Sequence, residues 1–320
     1  MLARRGSVHL FRFSGIDVFL HWSWFLVAAY EIQDRGHNYS SIKWNILEYL
    51  GLFLIVLLHE FGHALACRQV GGRANEIVLW PLGGVAYVDP PPRPGATLWS
   101  IAAGPLVNVA LLPILALLLY SAHSVGVSPN VYGLISILLR IDLGLFIFNI
   151  LPIYPLDGGQ ILRSLLWFVM GRARSLLVAT VLGLIGIPGV VALAFWLGSI
   201  WYGVLLAFFM LMNCWGGLQH ARELLRFAKL PRRSGFACPS CKMSPPPGAF
   251  WRCGNCRQLF DTFETRAVCP HCGSRFPVTR CLDCGKLHPI EEWAAPTLIA
   301  PSINAEPRSQ VISSSRPDLL

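Results

Sequence analysis

Between Ile16 and Leu218 the chain is written in apolar stretches, each long enough to cross a bilayer: residues 16–33, 45–67, 97–120, 131–153, 175–197 and 199–218. A span needs about 20 apolar residues, and in hydrocarbon the backbone has to satisfy its own hydrogen bonds. Runs of this length therefore read as helices, and the expected fold is an all-α polytopic membrane bundle of about six transmembrane helices. The fifth stretch contains Gly183, Gly186, Pro188 and Gly189, which predicts a kink, and only Gly198-Ser199 separates it from the sixth.

Composition supports a membrane protein with a soluble appendix. The 320 residues are 54% hydrophobic but only 13% charged, against about 25% charged in soluble domains. Charge is segregated: it is sparse up to Gly217, whereas most of the Lys, Pro and Cys follow Gln219. The basic residues Arg4, Arg5 and Arg12 precede the first stretch, and Arg68, Arg73 and Arg93 follow the second. Arg163, Arg172 and Arg174 follow the fourth, and Arg222, Arg226, Lys229, Arg232 and Arg233 the sixth. The positive-inside rule then predicts two cytoplasmic termini, in agreement with an even number of spans. Asp17, His21 and two Trp in the first stretch, with no small-residue cleavage site after it, make it a span rather than a removed signal. Topology accounts for the net charge of +9, which leaves nucleic acid without support as a partner. The expected location is integral and multi-pass in the cell membrane of a prokaryote.

Inside the second stretch lies His59-Glu60-Phe61-Gly62-His63. On a helix, His59 and His63 share one face about 6 Å apart in rise. Two imidazoles so placed can hold one Zn²⁺, with Glu60 between them as a base for an attacking water. Ionisable groups are costly in lipid and mark functional sites.

A catalytic zinc needs a third protein ligand. Asp157, in Leu151-Pro152-Ile153-Tyr154-Pro155-Leu156-Asp157-Gly158-Gly159 at the end of the fourth stretch, is the candidate, because a helix broken by prolines is tolerated where it lines a watery cavity. Taken alone, a cytoplasmic turn with a solvated Asp explains this sequence equally well. In Gly104-Pro105-Leu106-Val107-Asn108, Gly104 permits close helix approach, and Asn108 reads either as a packing amide or as part of the site. Arg140 and Asp142 carry no assigned chemistry.

The three motifs in this order and spacing resemble the site-2 protease family of intramembrane zinc metalloproteases, peptidase family M50, over residues 8–217. The opening Phe13-Ser14-Gly15-Ile16-Asp17-Val18 with His21-Trp22-Ser23 is similar to the six-span branch lacking an inserted PDZ domain. The resemblance implies zinc held by His59, His63 and Asp157, Glu60 as general base, and a supporting or substrate-holding role for Asn149. It implies hydrolysis of peptide bonds in or near transmembrane segments of other proteins. Residues 76–89, two β-prone runs around Leu82-Gly83-Gly84, read as a small membrane-associated β hairpin, one edge of which could pair with an unwound substrate.

The C-terminal part departs from most relatives. Eight of ten cysteines form four C-x-x-C pairs: Cys238/Cys241, Cys253/Cys256, Cys269/Cys272 and Cys281/Cys284. In a reducing cytoplasm these predict structural zinc, two Cys₄ sites beside one catalytic ion. Sequential pairing gives ribbons over 238–256 and 269–284, and spacing leaves interleaved pairing open. The expected organisation is a membrane domain at 1–218, a basic linker at 219–236, a double zinc ribbon at 237–288 and a disordered tail at 289–320. The alternative function is a proteolytically silent scaffold whose ribbons recruit a cytoplasmic protein partner; an intact Glu60 argues against it.

Overall fold

The computed structural model describes residues 6–26, 28, 39–80, 83–196, 198 and 200–293, in two compact units, Met1–Leu230 and Pro231–Leu320. The first unit opens on a hairpin, Ser7–Phe13 (β1) and Ile16–His21 (β2), joined by Ser14-Gly15. Both turn residues have positive φ, 49° and 74°, the mirror-image turn whose twist suits a two-residue hairpin loop. β2 pairs in parallel with Arg73–Trp80 (β3), which pairs antiparallel with Gly83–Asp89 (β4), giving the order β1-β2-β3-β4. The expected hairpin is therefore half of a four-stranded sheet.

That sheet corrects the start of the first predicted span. Residues 16–21 are a strand, with Ile16 and Val18 fully buried and alternating with Asp17 and Phe19. Uniform apolarity of the stretch hides this period of two. Helix begins only at residue 23, and residues 27 and 29–38 lie outside those described. Ile16, Val18, Ala74, Ile77 and Leu79 pack against Val56, Leu57, Ala64 and Cys67 of Ile42–Gln69 (α1), so the sheet lies on the helix that carries the H-E-x-x-H sequence.

The remaining helices are Pro94–Val125 (α2), Pro129–Ile150 (α3), Asp157–Trp196 (α4) and Ile200–Ala228 (α5). Five helices among the described residues are long and apolar enough to cross a membrane. They carry exposed Leu117, Ile185 and Phe195, as helices apolar on every side do in lipid. Pro94 sits in the first turn of α2 and Gly126, at φ 69°, caps its end. The backbone of α4 is non-helical at Gly171 (φ 80°, ψ 170°), while Pro188 stays inside the helix. Residues 157–170 are thus a separate helical piece ahead of the span. α5 runs on through Ala228, so most of the basic segment 219–236 is helix end rather than linker.

The second unit is built on two short antiparallel ribbons, Trp251–Arg252 (β5) with Leu259–Phe260 (β6) and Val278–Arg280 (β7) with Leu287–Pro289 (β8). Its core is Trp251, Phe260, Phe263 and Trp293 with four of the cysteines. Trp293 ends a 3₁₀ turn, Ile290–Trp293, and is 1% exposed. The ordered unit therefore includes the first residues of the predicted tail; residues 294–320 lie outside those described.

Candidate active site

α1 presents His59, Glu60 and His63 on its buried side. His63 Nδ1 meets the Ser100 carbonyl at 2.9 Å and His59 Nδ1 meets Asn108 Oδ1 at 2.6 Å, both acceptors on α2. Asn108 Nδ2 donates to Asp142 Oδ1 of α3 at 2.6 Å, which fixes the amide oxygen toward His59. A carbonyl and an amide oxygen only accept, so both Nδ1 atoms carry the hydrogen and both Nε2 atoms are bare.

The bare atoms converge. The two Nε2 atoms are 3.1 Å apart, and Asp157 Oδ2 lies 3.0 Å from that of His59 and 3.2 Å from that of His63. Three acceptors at these separations repel unless a cation lies among them. Ligands about 2.0–2.1 Å from a tetrahedral Zn²⁺ lie roughly 3.3 Å from one another. The donor set therefore fits zinc in both chemistry and spacing.

Asp157 reaches the site from the first residue of α4, not from the end of α3. Between them the chain turns through Leu151–Leu156, with Tyr154-Pro155 in the cis form. Gly158 and Gly159 lie directly on the backbone of this loop, at Ile150 and at Ile153-Tyr154, where a Cβ has no room. That contact holds the carboxylate against α1. Asn149 lies half-buried near the end of α3 and is not among the side chains that close the cluster.

Glu60 Oε2 accepts the Ala86 backbone N–H of β4 at 2.9 Å. β4 is an outer strand of the sheet, and this N–H points from it to the carboxylate. Two contributors had no role in the sequence reading: Asp142, fully buried and bonded to Asn108, and the Ala86 amide. A lone acid in an apolar helix was the signal available for Asp142.

Gly104 does more than let helices approach. A Cβ there would lie 2.8 Å from His59 Nε2 and closer still to the His63 ring. Gly104→Ala is expected to push both imidazoles off the cluster and cost about one equivalent of zinc, read by elemental analysis of the purified chain. Asp142→Ala frees the Asn108 amide to rotate. It is expected to weaken metal binding at this site roughly 10–100-fold, measured by competition with a chromophoric chelator.

In the C-terminal unit the thiols gather as two groups, Cys238, Cys241, Cys281 and Cys284, and Cys253, Cys256, Cys269 and Cys272. The pairing, which spacing had left open, is nested, first pair with fourth and second with third, in place of sequential ribbons over 238–256 and 269–284. Sulfur separations of 3.7 Å (Cys238–Cys284, Cys241–Cys281, Cys256–Cys269) and 3.5 Å (Cys253–Cys272) compare with roughly 3.8 Å between thiolates 2.3 Å from a tetrahedral Zn²⁺. Each knuckle is the same turn: the fourth residue after its first cysteine donates to that cysteine's carbonyl. Those residues, Lys242, Arg257, Gly273 and Gly285, all have positive φ between 62° and 76°. The Ser274 side chain and backbone beside Cys272 hold its thiol down to about 6.

The model of Peptidase family M50 matches residues 48–136 and 126–193. A protein named zinc metalloprotease from Methanocaldococcus jannaschii is 35% identical over 177 residues, 55% of this chain and 50% of that protein. A relative from Synechocystis, provisionally named a zinc metalloprotease, is 28% identical over 230 residues, 65% of this chain and 59% of its own length. The solved Site-2 Protease from Methanocaldococcus jannaschii aligns with a TM-score of 0.48 and 28% identity, over 66% of this chain and 95% of that one. The chain spans about half the length of the curated relatives it matches. His59, His63 and Asp157 all lie inside the matched region, so over residues 48–193 the chain is similar to Peptidase family M50.

Proposed function

We propose that the chain is an intramembrane zinc metalloendopeptidase of the site-2 type, cutting peptide bonds in or near transmembrane segments of other membrane proteins. The observation that carries this reading is the cluster of bare donors from His59, His63 and Asp157 next to the Glu60 carboxylate, buried in helices apolar enough to span. Zinc at this site supplies a Lewis acid that polarises a scissile carbonyl and acidifies water.

The chain's own residues do the rest. Ser100 and the Asn108–Asp142 pair hold the two imidazoles in the metal-binding tautomer. Glu60, fixed by the Ala86 N–H, takes a proton from the attacking water and returns it to the leaving amine. The edge of β4 offers an unwound substrate a strand to pair with, and the Ala86 contact puts that edge beside the base. Asn149 supports the site or the substrate. Both termini lie in the cytoplasm, which puts the cut toward the cytoplasmic side of the cell membrane. The two Cys₄ groups hold structural zinc, and the ribbon unit docks a cytoplasmic protein.

The test is co-reconstitution of the full chain with single-span proteins in liposomes, the scissile bond being located by mass spectrometry. Product ends within or beside the span are expected. Cuts confined to soluble segments would overturn the intramembrane reading, and zinc bound only by the tail would overturn the site.

A further inference from the structure

Arg163 and Arg172 flank the Gly171 break in α4, and both line an open cavity of about 490 Å³ with Tyr154, Met212, Asn213 and His220. Three cationic or protonatable side chains thus converge on one space. Arg163 and Arg172 repel each other, and each also repels a protonated His220. The carboxylate that acts on His220 is the exposed Glu223, from its own helix. Arg163 Nε is buried without a hydrogen-bond partner among the described residues. The Arg172 guanidinium stacks 5.8 Å over the Trp167 ring, which steadies its fork.

Converging guanidinium forks match the oxygens of a phosphate, with the Tyr154 hydroxyl as a further donor and one amide hydrogen left on Asn213, whose Nδ2 also donates to the Phe209 carbonyl at 2.8 Å. What adjoins the cavity narrows the source of that phosphate. Met212, on its wall, is 58% exposed, and Phe208 and Trp215 beside it on α5 are 61% and 53% exposed. A polar pocket continuous with an exposed apolar helix face fits a molecule with a phosphate at one end and acyl chains at the other. Basic pockets between membrane helices hold anionic headgroups in this way.

We propose that this cavity binds the phosphate headgroup of an anionic phospholipid, Arg163 and Arg172 contacting the phosphate and Met212 the acyl chains. The site is independent of the hydrolytic reaction and joins the two pieces of α4 to α5.

The test uses the full chain in neutral detergent, titrated with phosphatidylglycerol, phosphatidylcholine or inorganic phosphate and followed by native mass spectrometry and Tm. Phosphatidylglycerol is expected to bind and raise Tm, and the other two to do neither. Arg172→Gln and Arg163→Gln are expected to weaken phosphatidylglycerol binding roughly ten- to a hundredfold, the effect of losing a charged hydrogen-bonded pair. His220→Gln, at a more exposed position, gives a milder weakening in a chain that keeps its fold. Equal binding of phosphatidylcholine, or unchanged titrations in Arg172→Gln and His220→Gln, would overturn the proposal. Inorganic phosphate matching the lipid would overturn the lipid source and leave a free-anion site.

Discussion

Glu60→Gln is expected to slow cleavage of a single-span substrate by about 10²–10⁴-fold, the contribution of a positioned general base, with zinc content unchanged. The substituted glutamine keeps the volume of Glu60, and its amide oxygen can still accept the Ala86 N–H that now reaches Glu60 Oε2. His59, His63 and Asp157 keep their neighbours, so the metal stays while the proton acceptor is gone. Initial rates in co-reconstituted liposomes, together with elemental analysis of the same preparation, separate the two effects. Equal rates for the two proteins sink the assignment of Glu60 as base. Lost zinc would make it a structural residue of the site.

The second large effect concerns the ribbon unit. Structural zinc binds small domains with apparent free energies of about 10–16 kcal/mol, more than such a unit gains from its few buried aromatics, so chelation is expected to unfold it. Nesting makes the loss countable. The double variants Cys241→Ser/Cys281→Ser and Cys253→Ser/Cys269→Ser each remove ligands from one group and should each cost about one equivalent of zinc. Cys241→Ser/Cys253→Ser removes a ligand from each group and should cost about two. Sequential pairing predicts the opposite pattern, so zinc counts in the three full-length variants decide between them.

Much of the membrane unit was legible in the sequence because lipid leaves the backbone few options. Spans two to six appear as α1 to α5 with shifted ends. The strand at residues 16–21 was not legible, since its partner in parallel pairing is β3, more than fifty residues on. His59, Glu60 and His63 could be read from their helical spacing. Asp157 came from a loop that a solvated turn explained equally well, and only packing of Gly158 and Gly159 on that loop brings it to the histidines. Asp142 had no motif; burial against Asn108 gives it a place.

The cysteines show the same division. Their C-x-x-C spacing made each pair a half-site, because four residues suffice to turn one knuckle. Which halves combine depends on how the chain folds back: the knuckle in ribbon β7-β8 joins the first pair, and that in ribbon β5-β6 joins the third.

By itself the sequence determined what local physics can enforce: apolar length for the spans, the helical period for two imidazoles on one face, and the knuckle turns. The tertiary structure alone decided how distant pieces meet. It set the tautomers of both histidines through acceptors on α2, brought a carboxylate from the start of α4, and placed an edge-strand amide on the base. Those contacts join residues 26 to 98 positions apart, and no local spacing records an encounter that only the packed helices create.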